Sequence, residues 1–275
     1  GIIHPMNWSV FHHPDISLPV IRRKAGRELI TLLAGTTELL LSGGRSTLYA
    51  GCYPNTQAFQ ASVARLRKQG LITVSKTNGS LPELKLTHSA ISSLPPYYTP
   101  EKFWNKRWNK WWYILMFDVP EKDRSYRDTL RKFLKEMRCG CLQKSVWVTP
   151  ADIRPDYEDL NRAAAVDSVA FLFESRTVLG FGDQSVVREA WDFNKLNKIH
   201  ESYIRFAEEN LSRLKNINPT EEEVLQLLRM DNQAYTQAMC ADPLLPKELH
   251  PKEYIGTLVF QTHFELCHQA AKKLR

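Results

Sequence analysis

Nine residues, WWYILMFDV (111–119), constrain the fold of this chain more than any other stretch. They are apolar throughout until Asp118. A run so apolar and so short leaves no wetted face for a helix, so it predicts a strand at the centre of a sheet. The residues that follow predict how the sheet is completed. KDRSYRDTLRKFLKEMRCG reads as a helix with Tyr126, Leu130, Phe133, Leu134 and Met137 along one face. QKSVWVT reads as a strand, DYEDLNRAAAV as a second helix and SVAFLFESRTVLG as one or two strands. The order β-α-β-α-β, with a last strand lost or displaced, predicts a ferredoxin-like half-sandwich over residues 111–182.

Upstream, PNTQAFQASVARLRKQG predicts a helix that Asn55 or Thr56 caps and Gly70 ends. Phe59, Val63 and Leu66 stack on its inner face, while Gln57, Gln60, Ala61, Ala64, Arg65 and Lys68 point the other way. LITVSKTNGSLPELKLT alternates, turns at Asn78-Gly79 and alternates again, which is a hairpin pattern. A helix ended by glycine and followed by a hairpin predicts a winged helix-turn-helix over residues 24–94, after an N-terminal extension of residues 1–23. RELITLLA is a shorter helix within the same segment. Side-chain amides pair with adenine and cations with phosphate. Gln57, Gln60 and Ala61 are therefore expected at base edges, and Arg65, Lys68 and Lys76 at phosphates. A merely solvated helix face is the alternative reading of the same residues.

Prolines and a serine pair mark a linker at residues 95–110. Its Trp104, Lys106, Arg107, Trp108 and Lys110 either pack it against the next domain or stack on bases. Residues 183–275 predict a mainly helical domain: one long helix or two in series, Thr220 and Glu223 at the spacing of a capping box, a proline-stiffened loop, DPLLPKELHPKEYIG, and a closing helix. The expected class is α+β.

The formal charge of +7 and a pI near 9.1 point to an anionic partner. No apolar run reaches the roughly 18–20 residues that a bilayer span needs, so no membrane association is expected. The opening residues lack a basic start and an apolar block, so no signal peptide is expected. Five cysteines, an odd number with no Cys-x-x-Cys pair, suit the reduced thiols of a cytoplasmic protein. Cys139 and Cys141 sit closer than structural zinc pairs do. His263 and His268 are five apart rather than at i, i+4. Ser145 has no glycine elbow, and LSGGRST lacks the lysine of a phosphate-binding loop. No cofactor, metal or enzymatic activity is expected.

FDVPEKDRSYRDTLRKFLK, LQKSVWVTP, DPLLPKELHPKEY and the helix ASVARLRKQGLI with LKLTHSA after it resemble the PaaX family of transcriptional repressors, those of phenylacetic-acid catabolism, across nearly the whole chain. The resemblance implies a homodimeric repressor of double-stranded operator DNA, released by an acyl-coenzyme A thioester such as phenylacetyl-coenzyme A. Where the family pattern has an arginine early in the recognition helix, this chain has Gln60. The middle segment also resembles the small CRISPR-adaptation protein of ferredoxin-like fold, in which an aspartate ending the first strand has been tied to metal-dependent nuclease activity. Asp118 holds that place, with Glu121 and Asp123 nearby, so a nuclease is the alternative function. More simply, Asp118 ends a strand, Pro120 stops it, and the acids sit at the positive pole of the next helix. On that helix Arg124, Arg127, Arg131, Lys135 and Arg138 form a stripe roughly opposite the core face. Arg124, Arg127 and Arg131 are the expected contacts for an effector's phosphates. DNA backbone, or solvent alone, is the other reading of that stripe.

Overall fold

The computed structural model describes residues 8–9, 56–75, 83–92, 94–120, 124–164, 169–177 and 182–274. The expected helix at residues 27–34, Asn55, Lys76, the Asn78-Gly79 turn, Glu121 and Asp123 lie outside them. The chain divides into two compact units. One comprises Gly1–Tyr98, Lys198–Cys240 and Ile255–Arg275, and the other Thr99–Asn197 with Ala241–Tyr254. Helices and strands are both present, as an α+β chain requires.

The second of these units is built on the apolar run. Strand β3 (Trp112–Phe117) is flanked by β5 (Val146–Thr149) and β6 (Ala170–Ser175), both antiparallel to it, and β4 (Gly140–Gln143) pairs with β5. The strand order β4-β5-β3-β6, with α4 (Arg124–Glu136) and α5 (Arg154–Ala164) as connections, gives β-α-β-β-α-β. That is the split β-α-β of ferredoxin-like folds. The period of two sorts β3 onto two faces. Tyr113, Leu115 and Phe117 pack with Leu130, Leu134, Trp147 and Ile153. Trp112 joins Trp108, Val148, Val186, Val187 and Phe193.

Two expectations are corrected here. The helix expected to run through Gly140 stops at Glu136, and residues 140–143 form the strand missing from the β-α-β-α-β reading. SVAFLFESRTVLG supplies one described strand, β6. The helix stops because Arg138 turns left-handed (φ 59°). Cys139 N–H donates to Leu134 O at 2.9 Å and Arg138 N–H to Lys135 O at 3.0 Å, the paired bonds of a Schellman turn. Gly140 must then be glycine. A Cβ there would lie 2.6 Å from both Ala190 Cβ and the Trp191 ring. The linker tryptophans pack on other rings: Trp104, in the short α3 (Glu101–Trp104), meets His250 and Tyr254 edge-on, and Trp108 meets Trp112.

The other unit holds α1 (Thr56–Lys68), the ribbon β1 (Ile72–Ser75) and β2 (Glu83–Leu86), the short α2 (His88–Ser92), most of α7 (Phe193–Asn216), α8 (Glu221–Met239) and α9 (Gly256–Lys273). The segment expected as one helix or two is two. Helix α6 (Asp183–Ala190) ends before Trp191, and Asp192 starts α7 by accepting from Lys195 N–H at 2.9 Å. Thr220 and Glu223 form the expected capping box. Val224, Leu227, Tyr235, Val259, Leu266 and Ala270 make the buried seam of α8 and α9. Trp8 is tied in as well, its indole donating to Glu223 O at 2.9 Å.

Candidate nucleic-acid interface

Helix α1 carries the expected reading face, and its geometry follows from how it ends. Leu71 N–H donates to Leu66 O at 2.9 Å and Gly70 N–H to Arg67 O at 3.0 Å, with Gly70 at φ 70°. Glycine takes this left-handed position without a Cβ penalty. The turn feeds directly into β1, which pairs with β2 in the register Ile72↔Leu86. Thr87 locks the far end of the ribbon to the helix terminus. Its hydroxyl donates to Gly70 O at 2.6 Å and accepts from Ala90 N–H at 3.2 Å, the second bond starting α2. Leu66, Ile72, Leu84 and Ala90 are buried, so the helix rests on the ribbon through its inner stripe.

The opposite stripe faces water. Gln57, Gln60, Ala61, Arg65 and Lys68 are all exposed, and Val63 is half-buried. The last turn carries Arg65, Arg67 and Lys68, cations placed where the negative pole of the helix favours them. Such a face offers amide pairs for base edges at one end and cations for phosphate at the other. Lys76 lies outside the described residues.

The second set of expected residues is less open. Arg124 and Arg131 both approach Asp128, at 3.8 and 3.7 Å, and Arg131 also donates to Lys144 O at 3.2 Å. Arg127 is half-buried. Arg138 leaves the stripe altogether, because its left-handed backbone swings the guanidinium to donate to Asp242 O. Asp118 is exposed, and its N–H donates to Val169 O at 2.8 Å, so it closes the pairing of β3 with β6. Among the described residues it belongs to no group of three ligands close enough to share an ion.

Two buried polar clusters were not foreseen. In the first, Asp242 accepts from Leu244 N–H at 2.7 Å and from the Tyr254 hydroxyl at 2.8 Å. Burial pushes its carboxyl up to about 6, against the pull of these donors and of Arg138. The stretch DPLLPKELHPKEY supplies both Asp242 and Tyr254. The second cluster joins Asp231, His263 and Cys267. Its sequence signal is Cys267 four residues after His263, one helical turn on, whereas the pairing of His263 with His268 led away from it.

The chain matches two families over more than half its length: the PaaX protein central Cas2-like domain at residues 105–187 and the PaaX-like protein C-terminal domain at residues 191–275. The chain belongs to the PaaX family. A relative of this PaaX-family chain, the transcriptional repressor PaaX of Escherichia coli, is 26% identical over 262 residues, covering 88% of this chain and 78% of the relative. That relative is, by its name, a transcriptional repressor. An uncharacterized protein from Mycobacterium tuberculosis shares the fold, with a TM-score of 0.52 and 16% identity over 91% of this chain and 97% of that one. No described helix of this PaaX-family chain is long and apolar enough to cross a membrane.

Proposed function

We propose that this chain is a transcriptional repressor that binds operator DNA through α1, as the recognition helix of a winged helix-turn-helix at residues 24–94. The observation that carries the reading is the exposed amide-and-cation face of α1, held on a two-stranded ribbon by the Gly70 turn, in a chain of the PaaX family. Gln57, Gln60 and Ala61 approach base edges, while Arg65, Lys68 and Lys76 contact phosphates. The net charge of +7 favours such a partner.

The repressor acts in the cytoplasm as a homodimer, which suits operators with two half-sites about one helical turn apart or a multiple of it. Residues 95–110 link the reader to the ferredoxin-like domain at 111–182, and residues 183–275 form the helical domain. Release comes from an acyl-coenzyme A thioester such as phenylacetyl-coenzyme A, with Arg124, Arg127 and Arg131 at its phosphates. The E. coli relative, a repressor by name, supports the reading.

A mobility-shift assay with the promoter of the chain's own gene tests it. A retarded complex should form at moderate salt in preference to a shuffled duplex, and phenylacetyl-coenzyme A should dissolve it. Equal retardation of both duplexes rules out the repressor. A complex that survives saturating thioester removes the effector.

A further inference from the structure

A buried carboxylate in a helical seam needs a reason. Asp231 of α8 is fully buried, at 0% exposure. A carboxylate moved from water into a protein interior costs several kcal/mol unless it is well paired. The groups facing it are the Tyr203 hydroxyl, which donates to Oδ1 at 2.6 Å, His263 Nδ1 at 2.7 Å from Oδ2, and the Cys267 thiol at 3.5 Å from Oδ2. His263 and Cys267 are themselves 5% and 7% exposed. Both lie on α9 at i, i+4, the spacing that puts two side chains on one helix face.

The distances are informative. Cys267 Sγ lies 3.5 Å from Asp231, an ordinary thiol hydrogen bond, but 3.9 and 4.0 Å from the two nitrogens of His263, at the outer limit for sulfur. The three ligand atoms nevertheless converge, all within 4.8 Å of one another. Zinc bonds to sulfur are about 2.3 Å, and to nitrogen and carboxylate oxygen about 2.0–2.2 Å. Every separation in the triangle is shorter than two such bonds laid end to end, so one ion can reach all three atoms. The ligand orientation is already fixed. Tyr235 stacks on the His263 ring at 3.9 Å with planes 12° apart, and its own hydroxyl donates to Tyr97 O at 2.6 Å. Tyr203 holds the carboxylate by the oxygen that faces away from the cluster's other members. Ligands steadied by outer hydrogen bonds in this way are characteristic of metal centres.

We propose that Asp231, His263 and Cys267 form a zinc site that clamps α8 to α9. A mixed oxygen, nitrogen and sulfur set suits a borderline-soft divalent ion better than calcium or magnesium, which take oxygen. On binding, the Cys267 thiol loses its proton to solvent and the sulfur lone pair bonds the ion. The His263 proton shifts from Nδ1 to Nε2, freeing Nδ1 as a ligand. The charges of carboxylate and thiolate then cancel the two positive charges of Zn²⁺. The Nδ1 to Oδ2 separation opens by about half an ångström to reach the spacing of two zinc bonds at a tetrahedral angle. A water fills the fourth position.

The test uses the untagged full chain, dialysed against ZnCl2 and then against metal-free buffer, with elemental analysis of what stays bound. About one zinc per chain is expected, and titration with a competing chromophoric chelator gives its affinity. Cobalt(II) in place of zinc should show a thiolate-to-metal charge-transfer band. Cys267→Ala should abolish the band and weaken zinc binding at least tenfold, with an unchanged far-ultraviolet circular dichroism spectrum. His268→Ala, one residue beyond the site, should keep both. ZnCl2 should raise the melting temperature of the wild type alone. No zinc above background in the wild type overturns the proposal, and so does stoichiometric zinc that persists in Cys267→Ala. The measurement involves no DNA, so its failure leaves the repressor reading untouched.

Discussion

Helices α1 and α4 end in the same turn made from different residues. Both close with a bond from the third residue past the helix to the carbonyl five before it, at 2.9 Å, and a shorter-range bond at 3.0 Å. Both place one residue left-handed, Gly70 at φ 70° and Arg138 at φ 59°. Glycine accepts that backbone readily, whereas an L side chain there costs about 1–2 kcal/mol. Gly70 leads into a ribbon and nothing lies within 4 Å of where its Cβ would be, so its work ends with the turn. Arg138 uses the same turn to aim a guanidinium at Asp242 O, and Trp191 Nε1 donates back to Arg138 O at 3.3 Å. The strain at the second turn is offset by an anchor that glycine could not supply.

The largest expected effect tests the far end of that anchor. The folded chain keeps the Asp242 proton up to about pH 6, while the unfolded chain releases it near 3.8. The folded state therefore binds more protons in that window, and stability from this group is full below pH 4 and lost as pH rises through 6. The loss should approach about 3 kcal/mol by pH 7. His200 works in the opposite sense: burial lowers it from 6.5 to about 4, so its share of stability is lost as pH falls through that range. The slope is best read as the difference between wild type and Asp242→Asn in denaturant titrations from pH 4 to 7. Asp242→Asn should remove the decline, and an unchanged slope would show that the Asp242 carboxyl does not carry it.

Arg138→Ala keeps the unfavourable backbone and discards the guanidinium. It should destabilise by about 2–3 kcal/mol, the worth of a hydrogen bond from a charged donor. Arg138→Gly discards the same bond but relieves the backbone, so it should cost about 1 kcal/mol less than alanine. If glycine and alanine prove equal at position 138, the left-handed strain is not there. Gly70→Ala should be the mildest, about 1 kcal/mol from backbone conformation alone, with DNA affinity reduced only as far as α1 is loosened.

The same pair of turns explains what could be read in advance. Gly70 announces its helix end, so α1 and the ribbon were legible, as were the apolar β3 and the Thr220 capping box. Arg138 announces nothing. Without a glycine the helix seemed to run on, and β4 was lost with it. The wetted stripe of α1 follows from the helical period and was legible as a surface. What touches that surface is not encoded in periodicity. The Asp242 and Asp231 clusters depend on residues 104 and 36 positions away in the chain, and local patterns carry no trace of such partners. The i, i+4 step from His263 to Cys267 was the one local clue.

The central claim is that the exposed stripe of α1 reads operator DNA. Fluorescence anisotropy with a labelled promoter duplex and a shuffled duplex, over a series of salt concentrations, tests it most directly. Gln60→Ala should lose roughly 1–3 kcal/mol of preference for the promoter while binding the shuffled duplex as before. Lys68→Ala should weaken both duplexes alike and lower the salt slope by about one. Equal losses on both duplexes from both substitutions, or no loss from either, would contradict the claim.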